Sequence, residues 1–473
     1  MTSDMYTLSS RTDKRKQKNL CKGVIDVEHK ILNRYPIGNP RRKWTQDNFV
    51  LSQFKAHGNN MRRHIKACAD VGFDTVELGW ASDEQADAAV QLCEQLGLRL
   101  IYQNMSRFGG AWDRDPIGGN DGRYYSRIYQ KLVERGAWKE SSFQGETDIR
   151  KVIAEKKHWN SVVGYYIWDE PFFEDQFKIC RKLTDDCEAE DESALAFTVA
   201  NPSYNPYFHW DSNAYPDYIE RFADIIDPPV LSFDYYPIGT PEQNEEFQLD
   251  NSPMWCDLAA VRRIADSRKI PFWFYYQGVN LHKAPIFTFP MVRLSMYAGA
   301  MHGAKALQHY CSTDAIVDED GNRLSFFEPQ KQINAEFKAL GDTLMALECK
   351  HVFHDDACLP DFEPMKQYAE PLSDSTFLEG KLPYRTSVGE FGDYYGNRYM
   401  MVLNRDYLSD KTITLKLNKS YRIYEVSRND GLQYVKTDCT NMLSLHLEAG
   451  DAVLLRLQPA EEEAFTIEYR LVK

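Results

Sequence analysis

The sequence predicts an α/β chain, a (β/α)8 TIM barrel followed by an antiparallel β-sandwich. From about residue 49, short apolar runs alternate with amphipathic stretches, as parallel βα units require. The runs number eight, the count that closes such a barrel. Beyond about residue 350 the pattern changes to period-two alternation broken by turn residues, the mark of antiparallel strands with one buried face.

The eight runs are FVLSQF (49–54), FDTVELGW (73–80), LRLIYQNM (98–105), VVGYYIWDE (162–170), ALAFTVANP (194–202), VLSFDYYP (230–237), PFWFYYQG (271–278) and KALQHYCS (305–312). Helices fit between them. Met61, Ile65, Cys68 and Val71 recur at helical spacing before Gly72 ends the first, and Ser82 with Gln85 forms a capping box ahead of Ala86, Ala89, Val90 and Cys93 in the second. The third connection, 106–161, is long. It opens with FGGAWDRDPIGGNDG, carries helical patterns near 124–135 and 147–157, and suits the wall or lid of a pocket. A further helix is expected around 328–347. Strand periodicity then returns in Ile413, Leu415 and Leu417, in Leu443, Leu445 and Leu447, and in Val453, Leu455 and Leu457. Asn429-Asp430-Gly431 and Ala449-Gly450-Asp451 supply turns between these runs. The expected division is an N-terminal arm over 1–45, a barrel over 46–348 and a sandwich over 349–473.

Composition bounds the function. At 473 residues the chain suits two or three domains, and 43% hydrophobic with 27% charged residues is the balance of a globular protein. The 28 Tyr and 9 Trp are abundant, which suits both flat sugar rings and ordinary cores. A net charge of −14 argues against nucleic acid or an anionic membrane as partner, since both need clustered Lys and Arg. The basic stretch Arg11 to Lys22 reads as a solvated arm. The opening residues lack the apolar core of a signal peptide, no window approaches a membrane span, and a cytoplasmic location is expected. The 10 cysteines are scattered, with no Cys-x-x-Cys, and read as buried thiols of a reducing compartment.

Chemistry points to the C-terminal ends of the strands, which in a parallel barrel share one face. Asp169 and Glu170 end the fourth run, where Pro171 stops it. Buried acids there need a polar space in front of them, because an unpaired carboxylate in apolar surroundings is strongly disfavoured. The competing reading is a cap for the next helix, one acid holding exposed backbone N–H groups. The other strand ends decide between the two. They offer Gln53 and His57, Glu77 and Trp80, Gln103 and Asn104, Asn201, Asp234 and Tyr236, Gln277, and Gln308 and His309. A ring of carboxyls, amides and aromatics is what a polyhydroxylated ligand requires. Trp273 and Tyr276 of the seventh run add aromatic faces for sugar rings. Divalent-metal chemistry is the weaker alternative, because His309 is the one histidine near a strand end in the second half. No cofactor is implied.

Several segments together resemble the glycoside hydrolases of the retaining clan A type and the hydrolase-like barrels related to them. They are GYYIWDEP (164–171), FDYYP (233–237), WFYYQ (273–277), GAMHGAKALQHY (299–310) and LEAGDAVLLRL (447–457). The resemblance covers most of 49–457 and implies a carbohydrate substrate, with Glu170 at the position of the general acid/base. Two departures stand out. Asp169 occupies the place of the usual Asn, and Gln277 the place of the nucleophilic Glu on the seventh strand. An amide cannot serve as that nucleophile, so another strand supplies the second carboxyl, the substrate attacks itself, or the site binds without hydrolysing. Asp234, flanked by two tyrosines, is the leading substitute and Glu77 the next; an ion-pair or capping role for Asp234 is the alternative. The expectation is a glycoside hydrolase acting on a glycan or oligosaccharide, with Glu170 and Asp234 catalytic and Glu77, Trp80, Asp169, Tyr236, Trp273, Tyr276, Gln277 and His309 contacting substrate. Its competitor is a non-hydrolytic carbohydrate-binding barrel.

Overall fold

The computed structural model describes residues 37–54, 60–78, 83–103, 149–171, 174–204, 214–239, 249, 252–281, 284, 286–311, 315–356 and 368–461. Eight parallel strands close into a barrel in chain order: β1 Val50–Phe54, β2 Thr75–Glu77, β3 Arg99–Tyr102, β4 Val162–Asp169, β5 Leu195–Ala200, β6 Leu231–Tyr235, β7 Phe272–Gln277 and β8 Ala306–Tyr310. Each falls inside one of the eight apolar runs. Among the described residues the helices are α1 Met61–Val71, α2 Asp83–Leu96, α3 Ile149–Lys156, α4 Glu174–Glu190, α5 Ala214–Ile226, α6 Met254–Arg268, α7 Phe289–Met301 and α8 Phe327–Ala346. In α1, Met61, Ile65, Cys68 and Val71 are buried, and Gly72 ends the helix at φ 91 while its N–H returns to the Cys68 and Ala69 carbonyls. Ser82 of the expected capping box, and the helical pattern near 124–135, lie outside the described residues.

Inward-facing side chains fill the barrel in layers. At its N-terminal end Trp273 packs on Phe197 at 5.5 Å and on Trp44 at 6.3 Å, and its indole N–H donates to Gln46 Oε1 at 2.9 Å. Gln46 in turn donates to the Lys305 carbonyl at 2.7 Å. The segment before β1 therefore plugs the barrel floor, and it is anchored there by Asn39 to Asp227 at 2.7 Å and by Arg42 to the Asp227 carbonyl at 2.6 Å.

The second unit is a six-stranded antiparallel sheet, ordered β13-β12-β14-β11-β10-β9, from β9 Glu348–His354, β10 Thr386–Gly392, β11 Arg398–Asn404, β12 Lys411–Val426, β13 Gln433–Leu447 and β14 Ala452–Pro459. The long pair β12 and β13 has register shifts between Lys416 and Tyr421 and between Tyr421 and Ile423. Before those shifts β12 pairs with β13; beyond them it pairs with β14 as well. The sheet thereby folds over itself. Ile413, Leu415, Leu417, Leu443, Leu445 and Leu447 pack on Val388, Met400, Val402, Val453 and Leu455, which makes a sandwich core from one continuous sheet.

The opposite face of that sheet sits on the barrel. α7 packs on β11, Arg262 of α6 donates to the Lys350 carbonyl at 3.1 Å, and Arg293 of α7 pairs with Glu448 at 2.8 Å. Both turn motifs read from the sequence touch helices directly. A Cβ on Gly431 (φ 73) would lie 2.3 Å from the Ala339 carbonyl oxygen of α8, and one on Gly450 (φ 67) 2.3 Å from that of Pro290 in α7. Gly396 has a similar φ of 82 but nothing within 4 Å. Gly431→Ala and Gly450→Ala should therefore each cost about 1–3 kcal/mol more than Gly396→Ala, because only the first two add a clash to the unfavourable backbone conformation. Chemical denaturation of the three variants measures the difference, and equal losses would mean that the seam yields to the added methyl.

Candidate active site

β4 does not alternate regularly. Its pairing with β5 runs Tyr166 to Phe197, then skips to Trp168 against Thr198 and Asp169 against Val199, so β4 carries one extra residue. Ile167 and Trp168 both pack outward with the helix layer, and Asp169 turns inward with Val199. Glu170 then takes a left-handed backbone at φ 50, costing on the order of 1 kcal/mol for a residue with a side chain. Its neighbours hold it there. Its N–H donates to the Val199 carbonyl at 3.0 Å, the Asn201 side chain donates to its carbonyl at 3.1 Å, and the Tyr218 hydroxyl donates to the Pro171 carbonyl at 2.9 Å. Two consecutive acids can face one space because the strand alternation ends between them.

Asp169 and Glu170 are half-buried, and Asp234, inward on β6, is 5% exposed. The Glu170 and Asp234 carboxyls are within hydrogen-bond reach of each other. Burial first, then the charges of Asp234 and Asp169, hold Glu170 well above the usual carboxylate range. Asp234 is also raised, by burial and by Asp169, while its bonds to Tyr236 and Glu170 act the other way. Asp169 is raised by burial against the opposing bond from the Tyr166 hydroxyl at 2.9 Å. Burial and mutual repulsion thus raise both members of the pair, so each favours its protonated form more than an exposed carboxyl does.

Aromatic rings line the mouth around these acids. Phe54 lies 6.0 Å from Tyr166 and 5.6 Å from Tyr310, and Tyr236 lies 4.8 Å from Tyr310. Tyr204 meets Tyr235 edge-on at 5.0 Å, on a loop anchored where the Ser203 N–H donates to buried Asp257 at 2.9 Å. Below the acids, Glu77 accepts hydrogen bonds from Ser52, Tyr275 and, at 2.8 Å, Gln308, and burial raises its carboxyl to about 7. Glu77 is thus a fully bonded floor beneath the acids.

Four of the sequence-derived contact residues stand elsewhere. Trp273 belongs to the barrel floor. Tyr276 faces outward, its hydroxyl accepting from Gln330 of α8 at 3.1 Å, and His309 packs outward between Phe73 at 5.5 Å and Tyr276 at 5.3 Å. Gln277 points inward with no surface to offer: its oxygen accepts the Ile238 N–H at 2.7 Å, and its nitrogen donates to the Ile238 and Val279 carbonyls at 3.0 and 3.1 Å. Gln53 accepts from Cys68 on the helix side. Trp80, His57 and Asn104 lie outside the described residues. Sequence reading missed Tyr166, Tyr204 and Tyr310. The signal for Tyr310 was its parity with Gln308, and for Tyr166 the spacing that an extra residue disguised. A groove of about 520 Å³ lies apart from the mouth, between Glu336 of α8 and the β12–β13 hairpin at Arg428, Tyr434 and Lys436. Its charges are paired, Arg428 with Asp451 at 2.7 Å and Lys436 with Glu425, so it reads as a seam. Among the described residues no group of three or more His, Cys, Asp or Glu is arranged to hold a metal ion, and no helix is long and apolar enough to cross a membrane.

No family model matches the chain, and no curated protein matches it. Solved structures resemble it. One is a GH27 β-L-arabinopyranosidase from Geobacillus stearothermophilus, 10% identical with a TM-score of 0.45, covering 88% of this chain and 98% of its own. Another is an endo-β-1,4-mannanase from Thermotoga petrophila, 10% identical with a TM-score of 0.37, covering 90% of this chain and 98% of its own. A third is a GH51 arabinofuranosidase from Xanthomonas axonopodis pv. citri, 9% identical with a TM-score of 0.39, covering 85% and 90%. Those activities belong to those proteins.

The buried acids have a measurable signature. Glu77 at about 7 and Asp257 at about 8 bind protons in the folded state that an unfolded carboxyl releases near 4. Their folded values are raised, so the stability these two groups contribute is fully present below about pH 4 and is lost as pH climbs toward 8, by at most about 1.4 kcal/mol per pH unit per group. Asp257→Asn should flatten that fall between pH 5 and 8 in urea titrations. An unchanged slope would show that Asp257 does not hold its proton.

Proposed function

We propose that the protein is a glycoside hydrolase acting on a glycan or oligosaccharide. Residues 46–348 form its catalytic barrel, 349–473 an accessory sandwich and 1–45 an N-terminal arm. The observation that carries this is the Glu170–Asp234 pair, two neighbouring carboxyls both raised by burial and by nearby charge, at the C-terminal mouth of a parallel barrel, ringed by tyrosines. Glu170 protonates the departing glycosidic oxygen, and Asp234 attacks the anomeric carbon or activates a water. Asp169, Tyr236 and Glu77 shape the space around them. The buried thiols Cys68, Cys93, Cys180, Cys187, Cys256 and Cys349, all outside disulfides, support a cytoplasmic site of action. The partner is then a carbohydrate, with neither nucleic acid nor membrane involved.

Direct contact between the two carboxyls is closer than the roughly 5 Å of retaining enzymes or the 6.5–9.5 Å of inverting ones, so a sugar entering between them must part them. That contact, together with the amide at the end of β7, supports the second reading, a barrel that binds carbohydrate without cleaving it.

Aryl glycosides and oligosaccharides separate the two. Under hydrolysis, Glu170→Gln should lower turnover by a factor on the order of 10² or more, with a smaller loss on substrates whose leaving group needs no proton. Asp234→Asn should lower turnover on all substrates alike. Near-normal turnover in Asp234→Asn would move the second carboxyl elsewhere, and binding without turnover across the panel would favour the second reading.

A further inference from the structure

Among the described residues other than glycine that take a left-handed backbone, Asp227 and Lys269 close α5 and α6, Arg385 leads into β10 and Cys439 lies at a register shift in β13. Glu170 alone closes a barrel strand, and it carries the proposed acid. Such a conformation persists only where the surroundings over-determine it. Here the surroundings converge on one atom. The Tyr218 hydroxyl accepts the Asn201 backbone N–H at 2.9 Å and the Asn201 side-chain N–H at 3.3 Å, and it donates to the Pro171 carbonyl at 2.9 Å. That engages its one proton and both lone pairs. Asn201 Nδ2 in turn donates to the Glu170 carbonyl at 3.1 Å and reaches the Pro171 carbonyl at 3.5 Å.

Tyr218 belongs to α5, in the helix layer, and is 7% exposed. Its ring packs against Phe177 of α4 at 5.7 Å and against Tyr215 and Phe222 of its own helix at 6.2 and 6.1 Å, so the hydroxyl is placed before any ligand arrives. Deleting that oxygen would leave the buried Asn201 N–H without this acceptor, take the shorter bond from the Pro171 carbonyl and loosen the amide that holds the Glu170 carbonyl. Residue 170 would then relax toward the extended or right-handed backbone that a residue with a side chain prefers, and its carboxyl would swing away from Asp234. We infer that Tyr218 is a positioning residue of the site: from outside the barrel, and through Asn201, it sets the left-handed turn that aims the Glu170 carboxyl at Asp234. The catalytic consequence rests on the glycosidase reading proposed above; the positioning rests on the hydrogen bonds alone.

Carbon-13 NMR on the full chain, with glutamate labelled at its side-chain carboxyl, tests the inference; the Glu170 signal is the one lost in Glu170→Gln. In the wild-type protein that carboxyl should keep its proton to a pH well above the ordinary carboxylate range, as burial and the charges of Asp234 and Asp169 require. Tyr218→Phe, which deletes one oxygen, should bring the titration down toward that range, because the carboxyl leaves Asp234. Asn201→Ala should do the same with Tyr218 intact, and it decides the matter alone if Tyr218→Phe does not fold. Phe222→Leu should lower the thermal transition yet leave the Glu170 titration in place, since it loosens the ring packing and spares the hydroxyl. On any aryl glycoside that the wild-type protein cleaves, Tyr218→Phe should lower kcat about tenfold where the leaving group needs a proton and less than about twofold where it does not, with KM unchanged. An unchanged Glu170 titration in both Tyr218→Phe and Asn201→Ala overturns the inference, and so does an equal shift in Phe222→Leu. A wild-type protein that cleaves no glycoside removes the glycosidase reading, and the titration then decides the positioning by itself.

Discussion

Side-chain alternation in a closed barrel governs this structure. Each strand has one parity that faces the interior and one that faces the helices, and once eight strands are joined none can slip without turning its whole inner set outward. Trp273, Tyr275 and Gln277 therefore share the interior with Gln308 and Tyr310, while Tyr276 and His309 go to the helix layer. The site exists because β4 breaks this rule twice. An extra residue at Ile167 turns Asp169 inward, and the left-handed Glu170 lets the next acid face the same space. Asn201 and Tyr218 hold that conformation from β5 and α5, so the strain in β4 is balanced by bonds from its neighbours.

Concentrating acids in this way has an energetic consequence. Burial and mutual repulsion disfavour the ionised forms, and a proton is retained on Glu170 at a pH where an exposed carboxyl would have lost it. A general acid needs that property. Asp234 is raised too, although bonds from Tyr236 and Glu170 act against the rise. Glu77, one layer deeper, shows the opposite solution: three hydrogen bonds from three strands satisfy it, and it has little left to offer a substrate.

The strands were legible because each is a short apolar run bounded by breakers, and a buried parallel strand has no other way to appear. Period-two patterning likewise marked β12, β13 and β14. That one sheet folds over itself was not legible, since it depends on register shifts near Tyr421 that leave no trace in composition. Within the site, Asp169, Glu170, Asp234 and Tyr236 stood out as polar or aromatic groups closing apolar runs. Strand-end position alone could not separate them from Tyr276 and His309, because it ignores parity, nor from Trp273, because it ignores depth. Glycine turns at Gly431 and Gly450 were readable as turns, but their close approach to α8 and α7 is a property of packing.

Gln277 ends β7 with an amide where the sequence resemblance predicts an acid, and its surroundings give that amide a physical sense. Its amide has both polar ends committed to the backbone, two of its three bonds going to Ile238. Ile238 lies two residues beyond Tyr236 and four beyond Asp234, on the segment leaving β6. A carboxylate at 277 could accept the Ile238 N–H but could not donate to the two carbonyls, so it would leave the end of β6 loose and bury a further charge in the barrel. The amide avoids both costs. The seventh strand thus supplies a clamp for the end of the sixth, and Glu170 after β4 and Asp234 on β6 stand either side of β5 in the ring.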